Sequence, residues 1–123
     1  MAIQFFYHDN IQKEISKIER RIIAVRQGFS IFERLCETQF HPTDPQQVIT
    51  PAKLHRLTQN SIWSLWKAEL VVPKSGLRPN QWPRLWFAVK GSNIVFLCIA
   101  SHTDNYDDKA MDDIALSRIS DFF

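Results

Sequence analysis

Between Ile11 and Cys36 the apolar residues fall at Ile11, Ile15, Ile18, Ile22, Val25, Phe29, Phe32 and Cys36, in alternating steps of four and three. That spacing keeps one side of an α-helix apolar along its whole length, so the stretch is predicted helical with one face buried against another layer. Asp9 or Asn10 supplies the N-cap. Gly28 marks the point where the helix is expected to bend or break in two, giving a helical pair. The opposite side carries Lys13, Lys17, Arg20 and Arg21, which reads as a solvated face.

The partner layer comes from segments with a period of two. Ile3, Phe5 and Tyr7 alternate with Gln4, Phe6 and His8, a first strand. The run "TQFHPTDPQQVITPAKL" has three prolines and no periodicity, so it is a connector, and Thr50-Pro51 is predicted to open a short second helix through about Leu57. "NSIWSLWKAELVV" reads as a strand ending before Pro73, followed by the polar loop "PKSGLRPNQ". Two further strands, Trp82 to Lys90 and Asn93 to Ser101, meet at "KGSN" in a hairpin turn. In the tail, Met111, Ile114, Ala115, Ile119 and Phe122 form a helical stripe, with Asp107 and Asp108 at its N-terminal end. The expected fold is α+β: an antiparallel sheet of the N-terminal strand plus a three-stranded meander, a helical pair on one face, and a C-terminal helix.

A chain of 123 residues, 45% apolar, suffices for one domain, 1–123, whose core needs neither metal nor disulfide. Cys36 and Cys98 lack C-x-x-C spacing and read as two reduced core thiols. The formal charge of +2 does not argue for nucleic acid by itself; only local clustering does. The first residues lack the basic and apolar regions of a leader, and no apolar run reaches the ~18 residues a bilayer demands. A cytoplasmic protein with no membrane partner is expected. Serine-hydrolase elbows, phosphate-binding glycine loops, dinucleotide fingerprints and H-E-x-x-H are all missing.

The third strand places Leu85, Phe87 and Val89 on one side and Arg84, Trp86, Ala88 and Lys90 on the other. The first set reads as core. The second mixes cations with a large aromatic, as a surface that contacts something flat and polar would. Lys67, on the preceding strand, is expected beside the Arg84 side. Arg84 has the planar fork that suits two phosphate oxygens, and a cross-strand ion pair with Glu69 is the open alternative. Trp63, Trp66, Trp82 and Trp86 are either stacking platforms for a base or core. In "SHTDNY", His102 and Tyr106 have acid/base chemistry. His102 with Asp104, Asp107 and Asp108 misses the calcium-loop pattern, and helix capping accounts better for the aspartates, so no metal is expected.

The order of elements, with "SLWKAEL" as the second strand, "PRLWFAVKGSNIVFLCIASH" as the hairpin and "DNYDDKAMDDIALSRI" as the tail, resembles the RelE/ParE superfamily of bacterial toxin–antitoxin toxins. The resemblance covers essentially the whole chain through short motifs. It implies a ribosome-dependent mRNA endonuclease (an mRNA interferase) that inhibits translation and needs no metal or other cofactor. Its partners would be the ribosome, mRNA and a cognate antitoxin. By position, Lys67 and Arg84 would hold the scissile phosphate, and His102 and Tyr106 would serve as acid/base or stacking groups. Arg78 would grip a neighbouring phosphate, with Trp86 and Lys90 as further RNA contacts. The same superfamily also implies a ParE-like alternative that acts on DNA gyrase without cleaving RNA. A non-enzymatic binding protein on this fold is the third reading.

Overall fold

The computed structural model describes residues 3–78, 81–101 and 106–123. Strand β1 (Gln4–Tyr7) leads into helices α1 (Ile11–Glu19) and α2 (Val25–Gln39). A 3-10 turn at Pro51–Lys53 precedes four strands, β2 (Leu54–Gln59), β3 (Ser64–Glu69), β4 (Arg84–Lys90) and β5 (Asn93–Ala100), and helix α3 (Asp108–Ile119) follows. The class is α+β, and the five strands lie in the order β1-β5-β4-β3-β2.

Three expectations need correction. Residues 51–57 do not form a helix: Pro51 starts only one 3-10 turn, after which Leu54–Gln59 pairs antiparallel with β3. Leu54 and Leu57, three apart, mimic a helical stripe, yet they point to opposite faces of a strand and join different cores. The sheet is mixed rather than antiparallel, because β1 runs parallel to β5, with Phe5 opposite Ile94 and Tyr7 opposite Phe96. Alternation reports which way side chains point and carries no information on strand direction. Neither face of the central sheet is free: α1 and α2 cover one side through Ile11, Ile15, Phe29, Phe32, Phe87 and Phe96. The other side packs Leu65, Trp86, Ala88, Leu97 and Cys98 beneath Ala115 and Ile119 of α3.

The helix break also differs. It falls at residues 20–24, while α2 runs unbroken through Gly28. The turn keeps Ile22 buried in phase with the stripe, so the four-three pattern passes through it unchanged, and only Ile23, 84% exposed, drops out. Gly28 has another role. A Cβ there would stand 2.8 Å from the Val71 carbonyl oxygen, so the missing side chain lets the segment just after β3 pass against α2.

The turns agree with expectation. Gly91, at φ +59, closes the β4–β5 hairpin between the paired residues Lys90 and Asn93. Asp107 caps α3 by accepting from the Lys109 amide at 3.1 Å. Cys36 and Cys98 are buried and unbridged, and burial pushes both thiols well above their usual range. Among the described residues, no helix is long and apolar enough to cross a membrane.

Gly28→Ala tests the close approach. Helix propensity alone favours alanine by about 1 kcal/mol, but the clash with backbone is expected to prevail, with a net loss of about 1–3 kcal/mol in denaturant unfolding. A variant more stable than the wild type would refute this account.

Candidate functional site

Strand register gathers the polar cluster. Lys67 on β3 lies directly opposite Trp86 on β4, and Glu69 lies opposite Arg84. Opposite Trp86, β5 carries a bulge: Trp86 pairs with Cys98 while the next residue, Phe87, pairs with Phe96. Leu97 and Cys98 therefore both face α3. The N-terminal half of α3 then lies over this end of the sheet, with Asp108 and Asp112 one helical turn apart and both directed at it.

The contacts are specific. Lys67 Nζ sits 3.5 Å from Asp108 Oδ1 and 5.8 Å from the centre of the Trp86 ring. Trp86 is fully buried, and its indole Nε1–H donates to Asp112 Oδ1 at 2.7 Å. Tyr106 meets the Trp86 ring edge-on, with centroids 5.9 Å apart. Arg84 Nη2 lies 3.5 Å from Glu69 Oε1, and its Nη1 donates to the Trp82 carbonyl. The ion pair that the sequence left open for Arg84 is thus the one it makes.

The Tyr106 hydroxyl is pushed up to about 12, mainly by burial and then by the negative charge of Asp108, while the positive charge of Arg84 acts in the opposite direction. At neutral pH the group is therefore a phenol that can donate a proton. Beside it, Lys67 and Arg84, whose side chains are only 18% and 14% exposed, make a largely buried patch of two cations, while the Tyr106 hydroxyl oxygen itself is buried. Such a patch suits a phosphate-sized anion.

Of the predicted site residues, Lys67, Arg84, Trp86 and Tyr106 come together. Trp86 does so as a core residue, not as an exposed platform: α3 covers it and Asp112 holds its only polar atom. Lys90 stands at the other end of β4, roughly 20 Å from Arg84 by strand rise, with its ammonium 5.4 Å from the centre of the Phe123 ring. Arg78 is exposed in its loop, its amide donating to Gln81 Oε1 at 3.0 Å. His102 lies outside the described residues. Sequence reasoning assigned Asp108 to capping and gave Asp112 no role in the site. The signal for both was the i,i+4 spacing just after a cap, which puts two carboxylates on one side of the first turns. Among the described residues, no three His, Cys, Asp or Glu side chains are grouped to hold a metal ion.

Comparison of this chain with protein-family models, with curated proteins and with solved structures yields no match.

The raised Tyr106 value has a pH consequence. Its folded value exceeds the ordinary 10.0, so the buried phenol stabilises the fold in full below pH 10 and that contribution fades as pH climbs towards 12. The stability gap between wild type and Tyr106→Phe should hold steady from about pH 8 to about pH 10 and then narrow, as read by urea unfolding at stepped pH. A gap that stays flat above pH 10 would contradict it.

Proposed function

We propose that this chain is a toxin of the RelE/ParE type, with a RelE-like arrangement of its elements, acting as a metal-independent, ribosome-dependent mRNA endonuclease. The observation that carries this reading is the convergence of Lys67 and Arg84, from two strands, on one largely buried patch, with Tyr106 packed edge-on against Trp86 beside them. The element order supports it too: strand, two helices on one face, an antiparallel run of strands and a closing helix.

In this mechanism Lys67 and Arg84 exchange their carboxylate partners for the oxygens of the scissile phosphate and stabilise the added charge of the phosphorane-like state. The ribose 2′-hydroxyl attacks phosphorus, the bond to the 5′-oxygen breaks, and a cyclic phosphate forms. Tyr106 is protonated at neutral pH but its hydroxyl is buried in this conformation, so it delivers a proton to the departing 5′-oxygen only once displacement of Asp108 exposes it. The attacking hydroxyl must lose its own proton to a base, for which the resemblance offers His102. The partners of this reading are the ribosome with its mRNA, in the cytoplasm, and a cognate antitoxin.

One observation favours a second reading. Lys67 and Arg84 are each already answered by a carboxylate, Asp108 and Glu69, and acid beside a site opposes RNA. This suits a non-nucleolytic protein on the same scaffold, directed at DNA gyrase or acting only by binding.

Induced expression in a bacterial host, with mapping of mRNA ends, separates the readings. The wild type should arrest growth with codon-phased cleavage, and Arg84→Ala or Lys67→Ala, folded by circular dichroism, should cut at least ~100-fold less. Arrest with DNA damage and intact mRNA would replace the nuclease by a gyrase-directed toxin. A harmless, folded wild type would leave a binding protein.

A further inference from the structure

On the side of the sheet opposite the candidate site, α1 turns Lys13, Lys17, Arg20 and Arg21 outward, all four exposed. Lys13, Lys17 and the C-cap Arg20, spaced by four and three, lie on one stripe, and Arg21 follows in the turn. Lys13, Lys17 and Arg20 line an open groove together with Gln12 and Ser16. At the α1–α2 turn the groove gives way to a separate cavity of about 260 Å³ that Arg21 and Lys74 border but that Ile22, Ile23, Ala24 and Leu77 also line.

The carboxylates of α1 do not neutralise this stripe. Glu14 faces inward and binds Arg118 at 3.0 Å, and Glu19 is held by Arg26 at 3.0 Å. Arg26 also donates to Gln12 and Ser16, at 2.9 Å each, which anchors the polar side of the groove to α2. Asp9, before the helix, is the acidic residue left at that end. Among the described residues, none of Lys13, Lys17 and Arg20 is ion-paired with a carboxylate. Counted with Asp9, Glu14 and Glu19, the five cations of this side leave +2, which equals the net charge of the whole chain. On the opposite face Asp107, Asp108, Asp112 and Asp113 crowd the start of α3. A polyanion would therefore favour the α1 side over the start of α3.

We propose that the outer face of α1 is a contact surface for the phosphate backbone of a folded RNA. From Lys13 to the C-cap Arg20 the stripe covers about 10 Å of helix, a length over which one strand of a duplex presents about three phosphates at ~3.4 Å spacing. The groove is lined by polar and charged side chains only. A protein partner needs apolar or aromatic anchors that lose water on docking, whereas phosphates need cations. The phosphate contact rests on these charges alone; the choice of RNA over DNA rests on the function proposed above.

The test is equilibrium binding of the full chain to a fluorescent, uncleaved RNA hairpin and to a DNA duplex of equal length, across a potassium chloride series. Wild type should prefer the RNA, with log K falling against log salt at a slope of about −3 to −4. Lys13→Gln/Lys17→Gln/Arg20→Gln should lose most of this affinity and retain a slope of about −1. Lys109→Gln on α3 should match the wild type. Exchanging lysine and arginine at the three positions, which keeps the charge, should preserve binding if the triple glutamine variant misfolds. Absence of RNA binding by the wild type at low salt, or a triple variant with unchanged slope, overturns the surface. Equal affinity for the DNA duplex overturns the RNA assignment. Because binding is read on uncut RNA, a failed nuclease reading leaves this result standing, and the converse also holds.

Discussion

One clamp at the side of β5 holds the architecture together. β1 stops beside Phe96, where the His8 amide makes the last backbone bond to β5. Beyond that point the strand's outward-facing groups need other partners, because an unsatisfied buried backbone group is costly. Arg118 of α3 supplies one by donating to the Leu97 carbonyl at 2.7 Å, and Glu14 of α1 supplies the other by accepting from the Ile99 amide at 3.2 Å. The two side chains also pair with each other at 3.0 Å. Helices on opposite faces of the sheet are thereby fixed to each other and to two nearby residues of the same strand, α3 at Leu97 and α1 at Ile99. With α3 anchored at its C-terminal end, its first turns fall over Lys67 and Trp86, which is how Asp108 and Asp112 reach them.

What the sequence made legible follows from what its periodicities encode. The four-three stripe gave the helical pair and its buried face, because burial of one side is all that the pattern requires. The "KGSN" hairpin and the Asp107 cap were legible because turns and caps have local chemistry. β2 was not, since two leucines three apart satisfy a helix and a strand equally and only the pairing with β3 decides. The direction of β1 and the bulge at Leu97 and Cys98 are likewise decided between segments distant in the chain.

The same division applies to the site. The proximity of Lys67, Arg84 and Trp86 was readable from alternation on two adjacent strands. The state of those residues was not. Whether Trp86 meets solvent depends on where α3 lies, and that depends on Arg118, which sequence reading gave no role. The capping reading of Asp108 was incomplete: the carboxylate also reaches Lys67. Arg84 could be read as a phosphate fork or as the partner of Glu69, and the ladder register settles which one this conformation uses.

The strand order β1-β5-β4-β3-β2 also sets a timetable. On the ribosome, the first strand emerges long before β5, the one strand it pairs with, and its ladder runs from Gln4–Asn93 to Tyr7–Phe96. Until residues near position 96 are synthesised, β1 has no neighbour and the apolar stripe of α1 and α2 lacks the Ile94 and Phe96 part of the core it covers. Arg118 comes later still, so the clamp on β5 is among the last contacts to close. Through most of these residues' synthesis the strand is therefore unpaired and the helical stripe incompletely covered, the kind of surface that chaperones hold and that aggregation recruits.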